Sequence, residues 1–116
     1  MAFRIRAKDG KTLWANATYR AAGAAPSIVG GDAVRFAPRR EWKSPRTGAS
    51  YPVAMEIGVG DRTWRLEPLM DDQELDARAS TGTIYWEGAV RAYNHSNAEV
   101  GRGYLELTGY WKPMKL

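Results

Sequence analysis

The 116-residue sequence predicts an all-β fold, an antiparallel up-and-down β-barrel of about seven to eight strands. Three observations carry that reading. Apolar residues recur with period two, most cleanly at Tyr51, Val53, Met55, Ile57 and Val59. The alternating runs are short and separated by turn signals such as Asp9-Gly10 and Gly60-Asp61. No stretch has the 3.6-residue period of an amphipathic helix, and the short connections favour a meander over a sandwich.

Phe3, Ile5 and Ala7 alternate with Arg4, Arg6 and Lys8, which places the cations on the wet face of a first strand. Asp9-Gly10 closes it into a hairpin, because both residues tolerate the positive φ of a primed turn. Thr12 to Arg20 returns as a strand, with Leu13, Ala15, Ala17 and Tyr19 on one side. Ala21 to Asp32 is small, glycine-rich and weakly patterned, so it reads as a connection. Val34 to Lys43 is a third strand, disturbed at Pro38, which cannot donate to a central ladder. Ser44 to Gly48 is a loop. Tyr51 to Val59 follows, and Gly60-Asp61 turns it into Thr63 to Met70, where Trp64 and Leu66 share a face. Asp71 to Asp76 is acidic and reads as a solvated loop or one helical turn. Ile84 to Tyr93 and Val100 to Trp111 are the last strands, joined through Asn94 to Asn97.

Length and composition place the chain as one domain over residues 1–116, with 44% hydrophobic and 26% charged residues. The absence of cysteine excludes disulfides, thiolate metal sites and a Cys nucleophile. A single histidine, His95 in a polar turn, leaves no multi-histidine metal site, and no cofactor is predicted. No apolar run approaches the ~18 residues of a membrane span, and Met1 to Arg6 lacks the apolar stretch of a signal peptide. Twelve of the 17 Lys and Arg residues fall in residues 1–65, but Arg4, Arg6 and Lys8 alternate with Phe3, Ile5 and Ala7 as on the wet face of a strand. The cluster at Arg39-Arg40 is short and ends at Glu41, so a nucleic-acid partner is not predicted.

The densest chemistry lies in Thr83 to Val90 and Gly101 to Tyr110. Tyr85, Glu87 and Ala89 share one face of the first strand, and Ile84, Trp86 and Val90 share the other. A turn near residue 96 sets Glu87 opposite either Glu106 or Tyr104. With the Tyr/Glu face inside, two carboxylates and several phenols line one cavity, and desolvation raises a carboxyl pKa as a general acid requires. With that face outside, the same residues are cross-strand pairs in solvent, and Trp86, Leu105 and Leu107 form the core. Asp71, Asp72, Glu74 and Asp76 lack the loop glycine and ligand spacing of a calcium site. Gly101-Arg102-Gly103 precedes no helix and is no phosphate loop. Ser44 and Ser50 have no base nearby in the sequence.

Three groups of residues resemble a known family. They are Glu67-Pro68-Leu69 with Asp72-Gln73-Glu74-Leu75-Asp76, Tyr85 to Val90, and Gly101 to Tyr110. Trp42 to Gly48 and Tyr51-Pro52-Val53 are similar too. Together they resemble the C-terminal domain of the AttH-like proteins. That group includes carotenoid 1,2-hydratase (hydroxyneurosporene synthase), kievitone hydratase and bacterial "predicted secreted hydrolases". The resemblance implies a lipocalin-like barrel, a periplasmic or secreted location, and an N-terminal barrel domain as a packing partner. It also implies a small hydrophobic ligand, with hydration of a terpenoid-type alkene as the chemistry. That reaction needs a proton donor and aromatic faces to stabilise a carbocation. On this reading Glu87 and Tyr85 are catalytic, and Trp64, Trp86, Tyr104 and Glu106 contact the ligand. The alternative is a non-catalytic structural domain that packs against the other barrel. A ligand-binding domain predicts an apolar cavity of at least ~300 Å³, and a packing domain predicts a large apolar patch on one outer face.

Overall fold

The structure, a computed structural model, describes residues 1–115. Nine strands follow in order: β1 (Ala2–Arg6), β2 (Thr12–Tyr19), β3 (Ser27–Gly30), β4 (Val34–Lys43), β5 (Ser50–Val59), β6 (Arg62–Pro68), β7 (Glu74–Ala77), β8 (Thr83–Tyr93) and β9 (Glu99–Leu107). A single 3-10 turn at Gly31–Ala33 separates β3 from β4. The all-β, antiparallel prediction holds. The strands hydrogen-bond as two sheets, however, and the described residues form no closed ring. One sheet has the order β1-β2-β3 and the other β4-β5-β6-β8-β7, with β9 added to β8.

Two strands were not legible. β3 lies within the predicted connection, and β7 lies within the predicted acidic loop. Each has only four residues, so each is held by its partner strand more than by its own pattern. β8, at 11 residues, carries β9 along one edge and β6 then β7 along the other. Gln73 fills the gap between β6 and β7. Its Nε2 donates to the carbonyls of Met70 and Ala89, and its Oε1 accepts from the Ala89 N–H. The carboxamide thus takes the place of a strand peptide, and it sits where a Cβ on residue 88 would be, so Gly88 is required there.

The core lies between the sheets. Tyr51, Val53, Met55, Ile57 and Val59 of β5 meet Trp86 and Val90 of β8, Leu105 and Leu107 of β9, and Ala15 and Ala17 of β2. Trp86 is fully buried, and its Nε1 donates to the Asp71 carbonyl at 2.6 Å. β4 runs through Pro38 as an edge strand, and its register shifts between Pro38 and Arg40.

The first strand is turned over relative to its predicted orientation. Arg4 and Arg6 are half-buried on the inner face, while Phe3 and Ile5 are exposed. Arg4 pairs with Ala15, whose small side chain leaves room for a long one that packs through its methylenes. Leu13 likewise is exposed, beside the register shift between Ile5 and Arg6. The first hairpin differs in detail as well. Only Gly10 adopts positive φ, and its N–H donates to the Ala7 carbonyl while the Ala7 N–H donates to Lys11. This is a three-residue loop with a left-handed bulge residue rather than a two-residue primed turn. Asn97, at φ 64°, plays the same part between β8 and β9.

Candidate functional site

Residues of both sheets line a cleft of about 330 Å³. Its walls include Tyr19 from β2, Phe36 from β4, Ile57 from β5, Trp64 and Leu66 from β6, and Leu105 from β9. Period two places Trp64 and Leu66 inward, and pairing sets Trp64 against Ile57 and Leu66 against Met55. Tyr19 stacks on Trp64 with ring centroids 6.1 Å apart, and the Arg62 guanidinium covers the other part of that wall over Tyr19. Tyr104, on the edge strand β9, borders the cleft with its side chain largely exposed. Of the residues predicted to contact a ligand, Trp64 and Tyr104 line this cleft. Trp86 does not: at zero exposure it is a core side chain with no surface left for a ligand.

Glu106, Glu87 and Tyr85 stand elsewhere. Trp86, Leu105 and Leu107 take the buried side of β8 and β9, so Glu87 and Glu106 fall on the outer face, directly opposite each other. The Tyr85 hydroxyl reaches Glu87 Oε1 at 3.5 Å, and Thr108 donates to Glu106 Oε1 at 2.8 Å. Partial desolvation, then the nearby Glu87 and Glu106 charges, raise the Tyr85 pKa, because both disfavour a phenolate. The two catalytic candidates and Glu106 are therefore brought together, but not at the cleft.

A third cluster was missed by the sequence reading. Glu74 opens β7 with its side chain only 2% exposed. Ser44 Oγ donates to its Oε1 at 2.7 Å, while Thr47 Oγ1 and the Tyr51 hydroxyl donate to its Oε2 at 2.7 and 2.9 Å. Arg46 adds an ion pair at 3.4 Å. Asp71, Asp72 and Asp76 stay exposed and ion-paired, Asp71 with Arg40, Asp72 with Arg46 in a fork and Asp76 with Arg78, whereas Glu74 is withdrawn from solvent. A carboxylate does lie beside Ser44, yet that hydroxyl also accepts the N–H groups of Arg46 and Thr47. With both functions of its oxygen engaged, Ser44 organises the β4–β5 loop and is not free to act as a nucleophile. Burial, and next the Glu74 carboxylate, push the Tyr51 phenol well above its ordinary pKa. Tyr51 in turn packs between Trp42 and Tyr110, with centroids 6.2 and 5.9 Å away. A larger hollow of about 520 Å³ adjoins Glu74, but its Arg46 and Arg78 are already paired with Asp72 and Asp76. The signal for this hub was present: Ser44, Arg46, Thr47, Tyr51, Asp72 and Glu74 all belong to the segments that carry the family resemblance.

Two antiparallel sheets packed over an apolar core, with a cleft lined by aromatic residues, define a lipocalin-like β domain. Comparison with known proteins gives that class a family. The AttH-like sequence profile matches residues 1–110, and the chain belongs to the AttH-like family. It is similar to a crystal structure of a Nitrosomonas europaea protein (NE1406) assigned as AttH, at 50% sequence identity and a TM-score of 0.88. The match covers 94% of this chain and 34% of that one, so the chain spans about a third of the relative's length. No curated protein matches it.

Proposed function

We propose that this domain binds a small hydrophobic ligand in the cleft between its two sheets. The observation that carries the reading is the cleft itself, walled by Tyr19, Phe36, Ile57, Trp64 and Leu66 and within the size range of small-molecule sites. No Asp or Glu among the described residues lines it, which favours binding over acid-catalysed hydration at this position. A hydratase using Glu87 and Tyr85 would hold its substrate against the outer face of β8 and β9, as one part of a longer protein. The neutral probe N-phenyl-1-naphthylamine tests the binding reading. Saturable fluorescence enhancement is expected, weakened roughly tenfold by Trp64→Ala through lost apolar contact. Absence of saturable enhancement in the wild-type domain would remove the reading.

One observation favours a second role that is compatible with the first. On the outer face of the three-stranded sheet, Phe3, Ile5 and Trp14 are 38%, 40% and 48% exposed, and Phe3 and Trp14 touch with centroids 4.5 Å apart. Such a patch suits packing against another domain, in keeping with the third of the relative's length that the chain spans. Appending the remaining two-thirds of a longer relative should then reduce Trp14 accessibility to acrylamide. Unchanged quenching would count against the packing role.

A further inference from the structure

Arg4 and Arg6 are the anomaly of the interior. Both project from the inner face of β1, half-buried, toward the space between the sheets. Arg39, Arg40, Arg46, Arg65 and Arg78 each meet a carboxylate. Among the described residues Arg4 and Arg6 meet none. The Arg4 guanidinium lies 5.0 Å from the centre of the Phe36 ring and donates to the Phe36 carbonyl at 3.4 Å. Arg6 lies 4.2 Å from the centre of the Tyr110 ring, and the Tyr110 hydroxyl also stands near Arg4. Ring faces attract a cation but do not neutralise it, and a guanidinium carries five N–H donors. Burial disfavours the charged form of Arg4, Tyr110 offsets part of that, and the neighbouring Arg6 charge adds to it. Two like charges held partly out of water and without a carboxylate partner, their remaining N–H groups open to solvent, form a pair that an anion can bridge.

Their position says which anion. Phe36, which carries Arg4 on its ring and on its carbonyl, is also a wall of the apolar cleft. Ala2, two residues along the same face of β1, is another. The cationic pair therefore adjoins the cleft, whose lining is mostly rings and aliphatic groups, together with Thr18, Arg102 and the Met1 terminus.

We propose that the cleft ligand is an anionic amphiphile, its apolar tail in the cleft and its carboxylate or phosphate head on the Arg4–Arg6 pair. The inference rests on the cleft-binding reading above and adds the class of ligand. Its test is displacement of N-phenyl-1-naphthylamine by oleate, oleyl phosphate and oleyl alcohol, three heads on one tail, each below its aggregation threshold. At least one acid should displace the probe at a concentration tenfold or more below that of the alcohol, and the tighter of the two identifies the head. Arg4→Met, which keeps the apolar stem, should bring the acids down to the alcohol's affinity and leave the alcohol unchanged. Arg4→Lys should restore part of the preference. Equal potency of all three in the wild-type domain overturns the proposal, and so does a preference that survives the Arg4→Met, Arg6→Met double variant. Failure of all three, the alcohol included, to displace a probe that does bind also overturns it. If the probe itself does not bind, the cleft reading fails first.

Discussion

Glu74 and Glu87 lie close together and live in opposite surroundings. β7 pairs Glu74 with Trp86, so the two glutamates are separated by one step along the sheet. Glu74 is on the side of the buried tryptophan and is enclosed by three hydroxyl donors and a guanidinium. Glu87, one residue past Trp86, is on the outer side with a single long contact to Tyr85. Because strand side chains alternate, one residue decides whether a carboxylate is a structural hub or a surface group. The residue that looked most like a catalyst is the one the fold leaves at the surface, and the one that read as solvated is locked inside.

The largest effect should come from Glu74→Ala. It strands the Ser44, Thr47 and Tyr51 hydroxyls next to a buried space, and should cost about 3 kcal/mol in urea unfolding, the scale of unsatisfied buried donors. A cost no larger than that of Glu87→Ala would erase the contrast between the two sites. Next in size, Gly88→Ala pushes the Gln73 carboxamide off β8 and forfeits its two hydrogen bonds to Ala89. A loss of about 2 kcal/mol is expected, and combining it with Gln73→Ala should give less than the sum of the two single losses. Strict additivity would mean that the two residues do not act as a unit.

Alkaline unfolding sharpens the comparison from the side of Tyr51. Its folded pKa is raised by burial and by Glu74. A raised pKa means that the stabilisation is complete below the unfolded value of about 10 and is lost as pH rises through the folded value. Stability should therefore decline above pH about 10, and Tyr51→Phe should flatten that decline. Tyr85 shifts in the same direction at the surface, so Tyr85→Phe should change the profile less. The smallest effect is assigned to Glu87→Gln, within about 0.5 kcal/mol of wild type as for most surface changes. A larger loss would show that the outer-face pair with Glu106 carries structural weight.

Strand existence was legible wherever alternation ran for five residues or more, as in β5 and β8. Which face points inward was much less so. In β8 both faces carry aromatic residues, and in β1 the long stems of Arg4 and Arg6 occupy inner positions that Phe3 and Ile5 would be expected to claim. Burial depends on which sheet closes over a strand, and that is a property of the whole chain. The cleft was partly legible, since Trp64 with Leu66 on one face already marked its wall. The Glu74 hub was hidden by its neighbours, because a run of acids ordinarily signals solvent, and its donors come from a loop some thirty residues earlier in the chain.

The inverted first strand has a consequence for how the molecule can change. Phe3, Ile5 and Trp14 contribute little to the core, since the alanines at 15 and 17 fill the inner side of their sheet. Their replacement by Ser or Lys should leave the melting temperature close to that of the parent while raising the concentration at which the domain stays dispersed. Solubility and folding stability are thereby uncoupled in this sheet. A lineage, or an engineer, can retune what the outside of β1 and β2 adheres to without reopening the question of how the inside is packed.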